Sequence, residues 1–222
     1  FKYGTNMKFS IDFKKLGFAK EKNIYLENDG NLAAYSEYLS YFKNDYKNLI
    51  MLTFGTGVGG GIIYNSEIFK GSGNAGEIGR ILINEKSYLE DVISAKAWTK
   101  KCQELYEINK ETKLSNIFYE EKVGSLLFDR SIDLEDYEKH ARDEIIQNTS
   151  NALISLFELF DNDIFVIGGS MTKSPYDFLP LLDEYISKNF EFPYRNFPKI
   201  KLSKAREDSG MLGAALLALN SE

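Results

Sequence analysis

Five glycines fall between positions 55 and 61, as Gly55-Thr56-Gly57-Val58-Gly59-Gly60-Gly61, directly after the strand-like apolar run of residues 48–54. Residues without a side chain let backbone N–H groups close on an anion and take positive φ angles that other residues avoid, which suits the loop to phosphate. Thr56 would add a hydroxyl donor. The pattern Gly55-x-Gly57-x-x-Gly60 also fits the dinucleotide fingerprint, which demands a strand before it, a helix after it and an acidic residue about 20 positions on. The glycines lead instead into Ile62-Ile63-Tyr64, then Asn65-Ser66, then Glu67-Ile68-Phe69: a second strand and a turn. The expectation is a glycine-rich β-hairpin. A tight hairpin whose glycines serve only backbone geometry is the competing reading.

Three carboxylates are candidates, two of them beside glycines. Asp29, in Asn28-Asp29-Gly30-Asn31, falls where a strand would end and a helix begin, the place where open α/β sheets display ligand-contacting residues, and its carboxylate could accept a proton from a substrate hydroxyl. The same four residues also make a good turn and helix N-cap. Glu77, in Gly76-Glu77-Ile78-Gly79, and Glu90, at the start of a helical stretch, could each accept hydroxyl hydrogen bonds from a polyhydroxylated ligand. Glu90 is equally well placed as a helix N-terminal charge. Phe165-Val166-Ile167-Gly168-Gly169-Ser170 is a second strand-to-glycine turn, either an ordinary βα connection or a place where backbone closes on a nucleotide's adenosine portion.

Other chemistries are set aside. Cys102 is the only cysteine and His140 the only histidine, so no His/Cys zinc cluster can be assembled, and the histidine lies near no nucleophile-elbow sequence. One cysteine also excludes an internal disulfide and points to a reducing compartment. A net charge of −6 argues against a nucleic-acid surface on this segment. No apolar run approaches the length of a membrane span, and the expected location is cytoplasmic.

The elements that must position these residues alternate. Residues 22–27 read as a short strand, 32–42 as a helix, 48–54 and 61–69 as the hairpin, and 81–83 as a third short strand. Residues 89–108 read as a helix, 114–118 with 124–128 as a short helix pair, and 134–160 as a long amphipathic helix with Ile145, Ile146, Leu153, Ile154, Leu156, Phe157 and Phe160 in its buried stripe. Residues 163–167 form a buried strand, 176–190 a helix, 199–202 a last strand and 211–219 a C-terminal helix. This is an α/β chain.

The motifs LENDGNLAA, FGTGVGGGII, GNAGEIG, FVIGGS and EDSGMLGAALLAL, in this order, resemble the ROK family of bacterial sugar kinases and sugar-responsive repressors. The resemblance runs over nearly the whole chain. It implies an actin-like ATPase fold built of RNase H-like domains, with a sugar and ATP meeting in a cleft. Residues 1–46 would be a remnant of the small N-terminal domain, 47–205 the large domain, and 206–222 a C-terminal helix packing back on the small one. Asp29 then matches the catalytic base and Asn28 a sugar contact. Glu77, Arg80 and Glu90 match the sugar side, Gly55, Thr56 and Gly57 a phosphate loop, and Gly168 with Gly169 the adenosine side. The resemblance also implies ATP with Mg2+ carried by the nucleotide, no metal ligand from the chain, and a homodimer.

Two departures stand out. The family usually has a histidine after Glu-x-Gly and then a cysteine-rich zinc loop; Arg80 stands in the histidine's place, and residues 81–88 run straight to Leu89-Glu90. No structural zinc is expected, and Arg80 would alter how the sugar's substituents are read. The chain also opens at Phe1 without the family's first phosphate loop, Asp-x-Gly-Gly-Thr, so these residues alone are expected to be a poor kinase. The leading expectation is an ATP-dependent kinase of a hexose or N-acetylhexosamine, N-acetylmannosamine or glucose favoured. The alternative is the sugar-binding effector domain of a repressor.

Overall fold

A computed structural model describes residues 24–121, 124–169, 178–205 and 208–220. Its centre is a five-stranded sheet in the order β3-β2-β1-β4-β5: β1 Leu49–Phe54, β2 Val58–Tyr64, β3 Glu67–Ile68, β4 Ile164–Gly169 and β5 Lys199–Leu202. β1 and β2 form the antiparallel hairpin, with Phe54 opposite Val58, and β4 runs parallel to β1 with Phe54 beside Gly169. β5 extends the parallel half.

The sheet is covered on both sides, which is why β1 and β4 read as nearly continuous apolar runs. Leu49, Met51, Ile63, Ile164 and Val166 point to one face and pack on Ala33, Ala34, Tyr38 and Phe42 of the first helix. Ile50, Leu52, Phe54, Phe165 and Ile167 point to the other, into a larger core with Trp98, Phe128, Phe157 and Phe178. The first helix, α1 (Asp29–Glu37), continues as a π-helical turn over Tyr38–Phe42, closed by Lys43 N–H to the Tyr38 carbonyl at 2.8 Å. α7 (Ser209–Asn220) crosses α1 so closely that a β-carbon on Gly213 would stand 2.0 Å from the Leu32 carbonyl oxygen. The larger face carries α2 (Glu90–Ile93), α3 (Ala95–Ile108), α4 (Lys113–Glu121), α5 (Asp136–Phe160) and α6 (Phe178–Asn189).

Four expectations are corrected. Residues 24–27 form no strand; positions 22 and 23 lie outside the described residues. Residues 81–83 form no strand either, but a single bridge from Leu82 to Tyr88. The Asn84 side chain accepts from Lys86 and Ser87 N–H, both at 2.9 Å, and this local turn takes the backbone out of any ladder. The helix expected over 89–108 breaks at Ser94, whose backbone is extended and whose hydroxyl accepts from Ala97 N–H at 3.1 Å, capping α3. The long helix begins two residues later than expected, at a capping box of Glu135 and Glu138. Ser170 and residues 176–177 of the expected 176–190 helix lie outside the described residues.

Candidate functional site

Asn28, itself extended, immediately precedes α1, and its Oδ1 accepts from Gly30 N–H (2.8 Å) and Asn31 N–H (3.2 Å). The cap is therefore Asn28, which leaves Asp29 as the first helical residue. Asp29 Oδ1 accepts from Gly30 N–H at 2.9 Å, and its side chain is exposed on a cavity of about 690 Å³.

Gly55, Thr56 and Gly57 line the same cavity. The loop folds back on itself through Gly55 N–H to the Gly57 carbonyl (3.0 Å), and Ala95 N–H, at the head of α3, donates to the Gly55 carbonyl (3.0 Å). None of the hairpin glycines has a positive φ, so that expected use is not made of them. Their role is close approach: a β-carbon on Gly61 would stand 2.4 Å from the Gly30 carbonyl oxygen and 2.7 Å from Ala34 Cβ, and one on Gly60 would meet Ile78 and the Gly76 carbonyl. Gly60 and Gly61, just past the loop, thus seat the helix of Asp29 and the Glu77 turn.

Glu90 and Gly169 also line the cavity. A β-carbon on Gly57 would stand 2.6 Å from Glu90 Oε2, while Glu90 Oε1 lies 3.7 Å from an Arg80 nitrogen. Gly169 has φ +95° and is pressed on Phe54, where a β-carbon would sit 2.2 Å from the carbonyl oxygen, so only glycine fits this turn.

Four of the expected site residues are off this wall. Asn28 is spent on the cap. Gly168 is behind the turn, against Met51 and Ser203. Glu77 is exposed at the centre of an inverse γ-turn, φ −70° and ψ 59°, closed by Ile78 N–H to the Gly76 carbonyl at 2.7 Å. Arg80 lies over the Tyr88 ring, 3.8 Å from its centroid, and reaches the cavity through Glu90. The wall also includes Thr53, Ser209 and Gly210, none of which was singled out as a site residue. Thr53 is the one polar residue in β1, and Ser209-Gly210 belongs to the EDSG segment before the last helix; both signals were available.

A clamp holds the start of α1. Glu27 accepts from Asn28 N–H (3.0 Å) and Asn31 Nδ2 (2.9 Å) and pairs with Lys70 at 2.6 Å. Burial pushes its carboxyl up, but the bonds from Lys70, Asn31 and Asn28 outweigh it and hold the group below its ordinary value. Cys102 is buried, and desolvation together with the Glu138 charge pushes its thiol up to about 12. Among the described residues no cluster of three or more His, Cys, Asp or Glu is arranged to hold a metal, and no helix is long and apolar enough to cross a membrane.

The cavity fits a phosphate-bearing cofactor: a side-chain-free loop, an exposed threonine hydroxyl and a glycine turn pressed to the strand lie on one side, a helix-borne carboxylate on the other. The mixed sheet and the helices on its two faces have the actin-like ATPase fold of solved ROK sugar kinase structures. The chain belongs to the ROK family, whose model matches residues 10–221.

Among its relatives, a glucokinase of Thermotoga maritima is 26% identical over 210 residues, covering 87% of this chain and 65% of the relative. An N-acetylmannosamine kinase of Haemophilus influenzae is 28% identical over 214 residues, covering 88% and 63%. A xylose repressor of Staphylococcus xylosus is 38% identical, but over 87 residues, 35% of this chain and 23% of the repressor. The solved structure of a ROK family glucokinase from Streptomyces griseus, in complex with glucose and AMPPNP, superposes with a TM-score of 0.75 at 22% identity, covering 88% of this chain and 68% of that one. The chain thus spans somewhat less than two thirds of the length of the curated kinases it matches.

Proposed function

We propose that this chain is the greater part of an ATP-dependent kinase that phosphorylates a hydroxyl of a hexose or N-acetylhexosamine, with N-acetylmannosamine or glucose as the favoured substrate. The observation that carries the reading is the single cavity on which Asp29, the Gly55-Thr56-Gly57 loop, Glu90 and Gly169 meet. The names of the full-length kinase relatives support it.

ATP with Mg2+ supplies the transferable phosphoryl group and the charge that neutralises it. Asp29 orients the sugar hydroxyl and takes its proton as the oxygen attacks. The Gly55–Gly57 backbone and Thr56 hydroxyl hold the phosphates, and Gly169 forms the floor on the adenosine side, with Gly168 backing it from behind the turn. Glu90 accepts sugar hydroxyls, steered by Arg80, with Asn28 and Glu77 at the outer edge. Most of the rate enhancement comes from positioning and electrostatics, as this transfer demands. A cytoplasmic homodimer, no structural zinc, and the division at residues 46/47 and 205/206 belong to the same proposal; the packing of α7 on α1 supports the last boundary.

The repressor relative favours a second reading, a sugar-binding effector domain. ADP release by the intact protein across a panel of hexoses and N-acetylhexosamines separates the two. A kinase turns over at least one sugar, and Asp29→Asn lowers kcat by about 10²–10⁴-fold; sugar binding without ADP release from any member supports the effector domain.

A further inference from the structure

Glu37 is the last residue of α1 and is wholly buried. Its Oε1 accepts from the Ser203 hydroxyl and from Ala205 N–H, the latter at 2.8 Å. Its Oε2 is buried with no hydrogen-bond partner among the described residues. A carboxylate kept out of water with one oxygen unserved is costly, and an apolar side chain would fill the same space without that cost.

What the carboxylate holds is the backbone just past β5, at Ser203 and Ala205. Ser203 N–H donates to the Ile167 carbonyl at 2.8 Å, which fixes the end of β5 on β4. The Ala205 carbonyl accepts from Asp208 N–H at 3.2 Å, and the next two residues, Ser209 and Gly210, stand on the cavity wall. On its other side Ser203 Cβ lies 3.3 Å from where a Gly168 β-carbon would be, so the clamp also backs the Gly168-Gly169 turn.

We propose that Glu37 is a positioning residue for the nucleotide side of the cavity: through Ser203 and Ala205 it fixes Ser209 and Gly210 relative to Asp29, two turns upstream on the same helix. This rests on reading the cavity as a nucleotide site. A residue that merely stabilised the fold would act evenly on the whole sheet, whereas a clamp acts on the segment it holds and on the ligand that segment meets.

The test compares Glu37→Ala with Glu37→Gln in the 222-residue chain and the intact protein, by amide hydrogen exchange and by titration with mant-ADP and Mg2+. In Glu37→Ala, exchange at Ala205 and at positions 208–210 rises about tenfold or more while the β1–β2 amides keep their protection, and mant-ADP binds about tenfold more weakly. In Glu37→Gln, whose carbonyl oxygen can accept both bonds, exchange and affinity stay within about twofold of the wild type. Unchanged exchange at positions 205–210, a rise spread evenly over the sheet, or an unchanged mant-ADP affinity in Glu37→Ala overturns the proposal. If the wild type binds no mant-ADP, the nucleotide reading of the cavity falls and the exchange pattern still decides what Glu37 holds. If Glu37→Ala does not fold, Ser203→Ala decides: faster exchange confined to positions 205–210 supports the clamp, and none overturns it.

Discussion

A β-carbon on Gly30 would stand 2.2 Å from the Gly60 carbonyl oxygen, so the helix that carries Asp29 meets the glycine strand backbone to backbone. Replacing a helical glycine by alanine ordinarily stabilises a helix by about 1 kcal/mol. Here the added methyl must push α1 away from β2, and overpacking of this kind costs about 1–3 kcal/mol. Gly30→Ala is therefore expected to lower the unfolding free energy and, because Asp29 is the adjacent residue, to lower kcat by more than the stability loss implies. Thermal unfolding and ADP release on the same preparation check both. A Gly30→Ala variant more stable than the wild type would mean that the contact is not a constraint.

The hairpin was legible because its pattern is local: two apolar runs, a short glycine loop between them, and Asn65-Ser66 at the far turn. That Gly55, Thr56 and Gly57 share one short loop was legible for the same reason. The role of Gly60 and Gly61 was not, since what they accommodate is a helix some 30 positions away in sequence. Residues 81–83 misled as a strand because three apolar positions carry no period, and the Asn84 turn that decides them lies just outside the run. Ser94 was hidden inside a helical pattern that continues on both sides of it. The Arg80–Glu90 pairing could not be read at all, because it depends on how the turn after Glu77 folds back on α2.

Arg80 gives a prediction in which stability and function part. Its ion pair with Glu90 is long, at 3.7 Å, and the Arg80 side chain is 56% exposed, so the pair contributes at most about 1 kcal/mol to folding. Its larger consequence is to hold the Glu90 carboxylate beside Gly57, the side of the cavity proposed to take the sugar. Arg80→Ala is expected to leave the melting temperature nearly unchanged and to raise the sugar KM by about 3–10-fold, with the ATP KM little affected. A shift in the ATP KM alone would place Arg80's influence on the other substrate.

Cys102 is expected to be chemically silent in the native protein. Its thiol is buried against the Gly124 carbonyl, 3.6 Å away, and is held protonated by burial and the neighbouring Glu138 charge, with its pKa pushed up to about 12. Since the thiolate is the reactive form, iodoacetamide at pH 8 should label the native chain at least about a hundredfold more slowly than the chain in urea. Rapid native labelling would show that α3 opens locally.

Glu27 is expected to contribute to the acid limb of stability. Its side chain is 7% exposed and gathers Lys70, Asn31 Nδ2 and Asn28 N–H, which together outweigh the upward push of burial and keep the folded-state carboxyl below the ordinary value of 4.5. A carboxyl depressed on folding contributes stability that is fully present above its unfolded value and is lost as the pH falls through its folded value. Glu27→Gln cannot lose a charge it never had. Urea unfolding at pH 7, 5, 4 and 3 should therefore show the wild type more stable than Glu27→Gln at the two higher values, with the gap closing below 4.5. Because the same carboxylate fixes the Asn28 backbone, Glu27→Gln should also lower kcat at pH 7 without changing which sugar is accepted. A gap that stays constant down to pH 3 would mean that Glu27's bonds do not depend on its charge, and that another carboxylate governs the acid limb.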